Sequence, residues 1–366
     1  MTEVLLKELS NSDIDWVTKM GHQQEIAAGT VLVEPGKLSE TLYIVIDGTL
    51  SFSVARGANH LFSHTSAPVP SSEMTWELTK LGSGDVVGAI SLVGSQLPVV
   101  TVKTLEKSLV LSIPCSQMEA KLQQDLGFAA HFYRAIAILL SQQQRTMESL
   151  LFSAQLVSKP EEPLKKVLTF LGKLNDSDIH WMMSVGSKQK IPAGTAFISQ
   201  GRPVDALYML LDGTAAVSIC RANISPLSRA FAGKDSDTTV TKQEIARFSS
   251  GEIVGEVSFL ENQQAYGTFK SIENCLTLSV PRHQLVAKLE MDVGFAARFY
   301  HAIAAVIQEK LRNAVIRLTY GQRVHRTSEM LEEDMEHQDE IDLEMLNNSA
   351  LAGARFNWML RRFRGD

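Results

Sequence analysis

The chain repeats itself, and that constrains its fold more than any other feature. Ser12-Asp13-Ile14-Asp15-Trp16 returns as Ser177-Asp178-Ile179-His180-Trp181. Asp125-Leu126-Gly127-Phe128-Ala129-Ala130 returns as Asp292-Val293-Gly294-Phe295-Ala296-Ala297. The first pair is offset by 165 residues and the second by 167. A period this long marks duplicated domains, because solenoid units run to only about 20–50 residues. Two copies of one fold therefore fill most of the 366-residue chain. Function must lie in how the copies differ.

Each copy, at roughly 155 residues, is long enough for its own core. With 45% hydrophobic and 21% charged residues the composition is that of an ordinary globular protein. No apolar run approaches the roughly 20 residues of a spanning helix, and the first residues lack the basic and apolar regions of a secretory leader. Cys115, Cys220 and Cys275 are odd in number and without metal-ligand spacing. They read as buried reduced thiols, so the expected compartment is the cytoplasm. A net charge of −6 argues against nucleic-acid binding.

The expected organisation is domain 1 over residues 1–158, a linker over 159–167, domain 2 over 168–318, and a C-terminal piece over 319–366. Each domain opens with a short helix, near Asp13–Met20 and Asp178–Val185. Short β-branched and aromatic runs follow, closed by Asp47-Gly48 and Asp212-Gly213, as in a barrel or sandwich. Long polar loops are expected over 56–76 and 221–243. After Pro114 and Pro281 come helical patterns: Phe128, Phe132, Ala135, Ile136, Leu139 and Leu140, then Phe295, Phe299, Ala302, Ile303 and Val306. Lys159-Pro160-Glu161-Glu162-Pro163 marks the linker.

Residues 329–344 carry nine acidic side chains and no lysine or arginine, which reads as an extended tether. Beyond it Phe356, Met359, Leu360 and Phe363 fall on one helical face, flanked by Arg355, Arg361, Arg362 and Arg364. Such a helix docks a partner protein in trans, binds a membrane surface or packs back on its own domains.

Gly36 with Tyr43-Ile44-Val45-Ile46-Asp47-Gly48, and Gly201 with Tyr208-Met209-Leu210-Leu211-Asp212-Gly213, precede Gly84-Asp85-Val86-Val87-Gly88 and Gly251-Glu252-Ile253-Val254-Gly255 respectively. With the helices after Pro114 and Pro281, this order resembles the cyclic-nucleotide-binding domain, in tandem. The resemblance implies an α+β chain of two jelly-roll β-barrels, each flanked by helices. It also implies a phosphate-binding cassette, in which a short helix offers N–H groups to a cyclic phosphate, a Glu accepts from the ribose and an Arg neutralises the charge.

Both cassettes are degenerate. In domain 2, Gly255, Glu256, Val257 and Ser258 keep the Glu, and Ala265 stands at the Arg position before Tyr266, Gly267 and Thr268. Lys270 is an alternative source of charge. In domain 1, Gly88, Ala89, Ile90 and Ser91 lack the Glu, and Pro98, three residues before Thr101, replaces the Arg. Losing a charge-assisted hydrogen bond costs roughly 1.5–3 kcal/mol, or about tenfold to a hundredfold in affinity. Domain 2 is thus the expected binder of a small anionic ligand.

Too few residues follow domain 2 for a winged helix-turn-helix, and they are acidic, so DNA binding is not expected. No nucleophile elbow, P-loop or metal-spaced His/Cys cluster occurs, and an enzyme is not expected. His131 and His301 read as surface residues on the edges of the long helices. No cofactor is expected beyond a cyclic nucleotide ligand. The expected function is a non-enzymatic regulatory or adaptor protein, in signal transduction through a partner in trans. It either senses a ligand through domain 2 or serves as a protein-binding scaffold, with homo-oligomerisation through the long helices. The alternative is a genuine cyclic nucleotide receptor with atypical phosphate contacts.

Overall fold

The computed structural model describes residues 3–55, 75–94, 97–154, 169–222, 240–324 and 343–364. Copy one opens with α1 (Glu3–Glu8) and α2 (Asn11–Met20). Strands β1 (His22–Ile26), β2 (Val31–Val33), β3 (Thr41–Asp47), β4 (Leu50–Ala55), β5 (Thr75–Leu81) and β6 (Val86–Val87) follow. Then come α3 (Ile90–Val93), β7 (Thr101–Thr104), β8 (Ser108–Pro114), α4 (Cys115–Gln124) and the long α5 (Leu126–Ser153). Copy two repeats the order. A helical turn at 169–173 leads to α6 (Asp176–Val185), β9 (Ser187–Ile191), β10 (Ala196–Ile198), β11 (Ala206–Asp212), β12 (Ala215–Ala222) and β13 (Val240–Phe248). After them stand β14 (Ile253–Val254), α7 (Glu256–Glu261), β15 (Thr268–Ser271), β16 (Cys275–Pro281), α8 (Arg282–Met291) and α9 (Val293–Val324), with α10 (Leu343–Arg364) last.

Each copy holds two four-stranded antiparallel sheets. They are β1-β8-β3-β6 with β2-β7-β4-β5, and β9-β16-β11-β14 with β10-β15-β12-β13. Register is repeated as faithfully as order: Tyr43 lies opposite Ser112 and Tyr208 opposite Ser279, with a bulge one turn on in each copy, at Val45–Asp47 and Leu210–Asp212. The helix-flanked α+β architecture in tandem is therefore present, with sheet pairs in place of a closed barrel. The parts of 56–76 and 221–243 that are described are strand, since β5 starts at Thr75, β12 reaches Ala222 and β13 starts at Val240. The remainder of both segments, the linker over 159–167 and most of the acidic stretch lie outside the described residues.

The two repeated motifs meet in space. Trp16 of the first packs edge-on against Phe128 of the second, ring centres 5.1 Å apart, and Trp181 meets Phe295 at 5.2 Å. Asp13 caps its own helix reciprocally with Ser10, and its carboxylate also takes a hydrogen bond of 2.8 Å from His131 Nδ1. Asp178 does the same with Asn175 and receives a two-pronged contact from Arg298, at 2.7 and 2.9 Å. The repeated residues are thus the joint between each opening helix and each long helix.

α5 and α9 pack side by side and run parallel. A Cβ built at Gly294 lies 3.8 Å from Leu126, Tyr133 stacks on His301 at 4.2 Å, and Leu139, Leu140 and Leu311 border one cavity. Ala137, Ile303 and Ile307 are fully buried along this seam. Homo-oligomerisation through these helices meets a physical obstacle, because their apolar faces are already engaged within the chain. His301 is likewise no surface residue: its Nε2–H donates to the Val93 carbonyl across the seam, at 2.8 Å.

α10 packs on copy two. Met359 is 1% exposed and Ala352 fully buried, with Phe356, Leu360 and Phe363 lying against the same core. Arg355 bonds the Leu171 and Leu174 carbonyls at 2.9 and 2.7 Å and pairs with Asp176 at 2.8 Å. Trp358 lies 4.5 Å from the His180 ring, and Lys188 donates to the Phe363 carbonyl. The four residues expected to dock a partner in trans are therefore turned onto the chain itself, because copy two supplies both an apolar seat and acceptors for the flanking arginine. Met359→Ala should cost about 2–5 kcal/mol, and removing residues 343–366 should lower the melting temperature by several degrees. Calorimetric unfolding curves that superimpose on wild type for both proteins would refute this packing.

Candidate ligand-binding cassettes

Both cassettes start at a glycine in the left-handed region, Gly88 at φ 87° and Gly255 at φ 94°. These turns carry β6 into α3 and β14 into α7. A side chain at Gly88 would run into the Thr41 carbonyl oxygen, and one at Gly255 would sit 3.2 Å from the Ala206 carbonyl oxygen. Only glycine meets both demands.

In copy two, Glu256, Val257 and Ser258 are buried at the start of α7. The Glu256 carboxylate is already engaged. Lys310 of α9 reaches it at 2.7 Å and also donates to the Ile253 carbonyl at 2.9 Å. The ammonium lies over the Phe248 ring, 5.0 Å from its centre. Ala265, at the expected Arg position, is 4% exposed and packs into the copy-two core. Its N–H and C=O bond the Arg202 carbonyl and the Gly201 N–H. Gly267 leads into β15, where Thr268 Oγ1 accepts from the Gln200 N–H at 3.2 Å. Lys270 is exposed on the far side of that strand and brings no charge to the cassette.

A second carboxylate enters from copy one. Glu148 of α5 is buried, takes a hydrogen bond from Gln144 Nε2 at 2.8 Å, and is hydrogen-bonded by the Tyr266 hydroxyl. Burial pushes its pKa up to about 7, with the Glu256 charge adding to the rise, against the hydrogen bonds and Lys310. Burial and the two carboxylates raise the Tyr266 hydroxyl in turn. Nearby, Glu261 at the end of α7 accepts from Ser141 at 2.5 Å and pairs with Arg145 at 3.0 Å, both from α5. Copy one thus closes the copy-two cassette with its own helix.

In copy one the cassette is open and apolar. Ala89 and Ile90 start α3, and Ser91 Oγ accepts from the Ser39 N–H at 3.1 Å. Pro98 is buried, its carbonyl taken by the Gly36 N–H at 2.8 Å, and Thr101 begins β7 opposite Ser53. Gly88, Ala89, Ile90, Ser91 and Pro98 border a cavity of about 670 Å3, mouth included, which Leu311 of copy two helps to wall. No charged side chain lines it among the described residues. Nor, among them, is any group of three or more His, Cys, Asp or Glu placed to hold a metal ion.

The copy-two cassette residues named from the sequence lie on α7, at the start of β15 and in the turns before them, and Glu148, Gln144 and Lys310 were not among them. Gln144 and Glu148 are four apart on the buried face of α5. That spacing of polar groups among Met147 and Leu151 was the available signal.

Two buried groups make opposed contributions to the pH dependence of stability. Glu148, raised from 4.5 to about 7, keeps a proton that the unfolded chain loses, so its stabilisation is full below pH 4.5 and is lost as pH rises through 7. His301 is lowered from 6.5 to about 4, by burial and then by the Lys173 charge, and so costs stability as pH falls below 6.5. Each slope spans about 3 kcal/mol, and between pH 4.5 and 6.5 they cancel. Relative to wild type, Glu148→Gln should gain stability as pH rises from 4.5 to 6.5 and His301→Gln should lose it. Urea titrations at several pH values check this, and parallel pH profiles for all three proteins would refute it.

The sequence matches the profile of the cyclic nucleotide-binding domain at residues 23–125 and again at 188–292, together more than half of the chain. No curated protein matches it. Among solved structures, the regulatory domain of Toxoplasma gondii PKA with cAMP is 16% identical over 80% of this chain and 89% of that one, with a TM-score of 0.27. The regulatory subunit of a cAMP-independent protein kinase A from Trypanosoma cruzi, bound to guanosine, is 17% identical over 89% and 88%, at 0.29. That of Trypanosoma brucei is 16% identical over 80% and 89%, at 0.26. Likeness at this level fixes neither ligand nor partner. The two profile matches do fix the family: the chain belongs to the cyclic nucleotide-binding domain family and carries its domain twice.

Proposed function

We propose that the chain is a non-enzymatic regulatory protein in which copy two is held shut by its own side chains and copy one keeps the responsive pocket. The observation that carries this is the Glu256–Lys310 pair at 2.7 Å. A cyclic nucleotide entering copy two must displace Lys310, find no arginine at Ala265, and bring its phosphate toward Glu256 and Glu148. A buried pair broken from one side costs about 3–5 kcal/mol, more than a charge-assisted hydrogen bond to the ligand returns. This departs from the sequence-based expectation of an anion sensor in copy two. Copy two acts instead as the fixed half of an internal pair, and a partner in trans reads the relation of the two halves.

Calorimetric titration of the full chain with cyclic AMP and cyclic GMP tests the proposal. The expected result is no binding tighter than about 10 μM, or roughly −7 kcal/mol. Tighter binding that Glu256→Ala abolishes would overturn it and restore copy two as a genuine receptor site.

A further inference from the structure

We infer that the copy-one cavity is a binding site for an uncharged, largely apolar small molecule, and that copy two forms one wall of that site. The inference rests on the reading above, that copy one holds the responsive pocket. The cavity itself holds about 70 Å3, and the open mouth above it brings the empty space to about 670 Å3, so a small ring can enter it edge-on with the rest in the mouth. Its walls come from both sheets of copy one, including Val33, Phe52 and Val86, from α5 through Leu139, and from α9 through Leu311. The polar groups on its lining are uncharged: Ser39, Ser91 and Gln143.

The absence of charge among the described lining residues decides the ligand class. An anion moved from water into this lining would lose its hydration and meet no cation. An apolar molecule gains about 25 cal/mol for each Å2 it buries, and the amide of Gln143 with the two hydroxyls orients one polar edge of it. Divergence from the neighbouring copy supports the same class. At the corresponding positions copy two has Glu256 for Ala89 and Lys310 for Gln143. Both members of the copy-two ion pair are thus replaced together by uncharged residues in copy one, and what remains is a pocket without a fixed charge.

The wall from copy two gives the site a readout. Leu311 is 5% exposed and borders the copy-one cavity, while Lys310, the preceding residue on α9, holds Glu256. A ligand that presses on Leu311 acts on the helix that keeps copy two shut.

Indole is a suitable probe, being neutral, apolar and equipped with one N–H. Titrated into the full chain by calorimetry, it should bind with a dissociation constant below about 500 μM, within the efficiency bound for a ligand of this size. Ala89→Leu, which fills the cavity, and Pro98→Arg, which adds a charge to its rim, should each weaken binding tenfold or more. Thermal unfolding confirms that a variant is folded, and either folded variant suffices. No heat of binding up to millimolar indole, or affinity unchanged in a folded variant, would overturn the inference. Displacement of indole by cyclic AMP at micromolar concentration would instead overturn the reading in which copy one is uncharged by design and cyclic nucleotides are excluded, so the two failures are distinguishable.

Discussion

The parallel pairing of α5 with α9 is the contact on which the rest of the structure depends. Two copies joined in tandem could have remained independent beads. Here each ends in a long helix whose apolar face exceeds what its own sheets cover. Ala137, Ile138, Ala304 and Ile307 are buried on these two helices, which pack on one another. Because the pair runs parallel in nearly equivalent register, each contact recurs with the copies exchanged: Tyr133 stacks on His301, and Arg134, the counterpart of His301, lies over Tyr300, the counterpart of Tyr133. The duplication is thereby converted into an internal dimer with approximate two-fold character. Each long helix consequently passes the cassette of the other copy: Ser141 and Arg145 contact Glu261, and His301 contacts Val93.

An internal dimer differs from a true one in that its halves are free to diverge. The two cassettes have the same backbone, glycine turn and opening into a short helix. Their side chains have moved in opposite directions. Copy two has gathered Glu148, Glu256, Lys310 and Tyr266 into a closed polar cluster, whereas copy one has replaced its equivalents with apolar and neutral groups. Buried polar clusters of this kind stabilise only when nearly every member is satisfied. Beside the copy-two cluster, Gln144 Oε1 has no hydrogen-bond partner among the described residues.

The fold was legible in the sequence because duplication doubled every signal. A lone Tyr-Ile-Val-Ile-Asp-Gly run is weak, but Tyr43 and Tyr208 in the same order with Gly88 and Gly255 are not. The helix starts expected near Asp13 and Asp178 fall two residues late, because Ser10 and Asn175 cap these helices together with the acidic residue at the third helical position. What was illegible lies between the copies. Nothing local to Lys310 says that its ammonium turns back to Glu256, 54 residues earlier. Nothing local to Glu148 says that it meets Tyr266 of the other copy. The C-terminal helix shows the same limit from the other side. Its amphipathic face was plain from Phe356 to Phe363, but the acceptors that hold Arg355, at Leu171, Leu174 and Asp176, belong to a distant segment.

The copy-two cluster has its own electrostatic logic. Glu256 and Glu148 share the neighbourhood of Lys310, the ammonium that both feel. Lys310 bonds Glu256 directly and acts on Glu148 only through its field. Two like charges at short range in a poorly hydrated site do not both ionise at low cost. The conflict is eased at Glu148, whose carboxyl burial pushes up to about 7 and which lies beyond the direct ion pair. A site balanced in this way takes up a proton where the sequence pattern leads one to expect an anion. Its occupancy is governed by whether α5 and α9 stay together, since Glu148 and Lys310 reach it from the two sides of that seam.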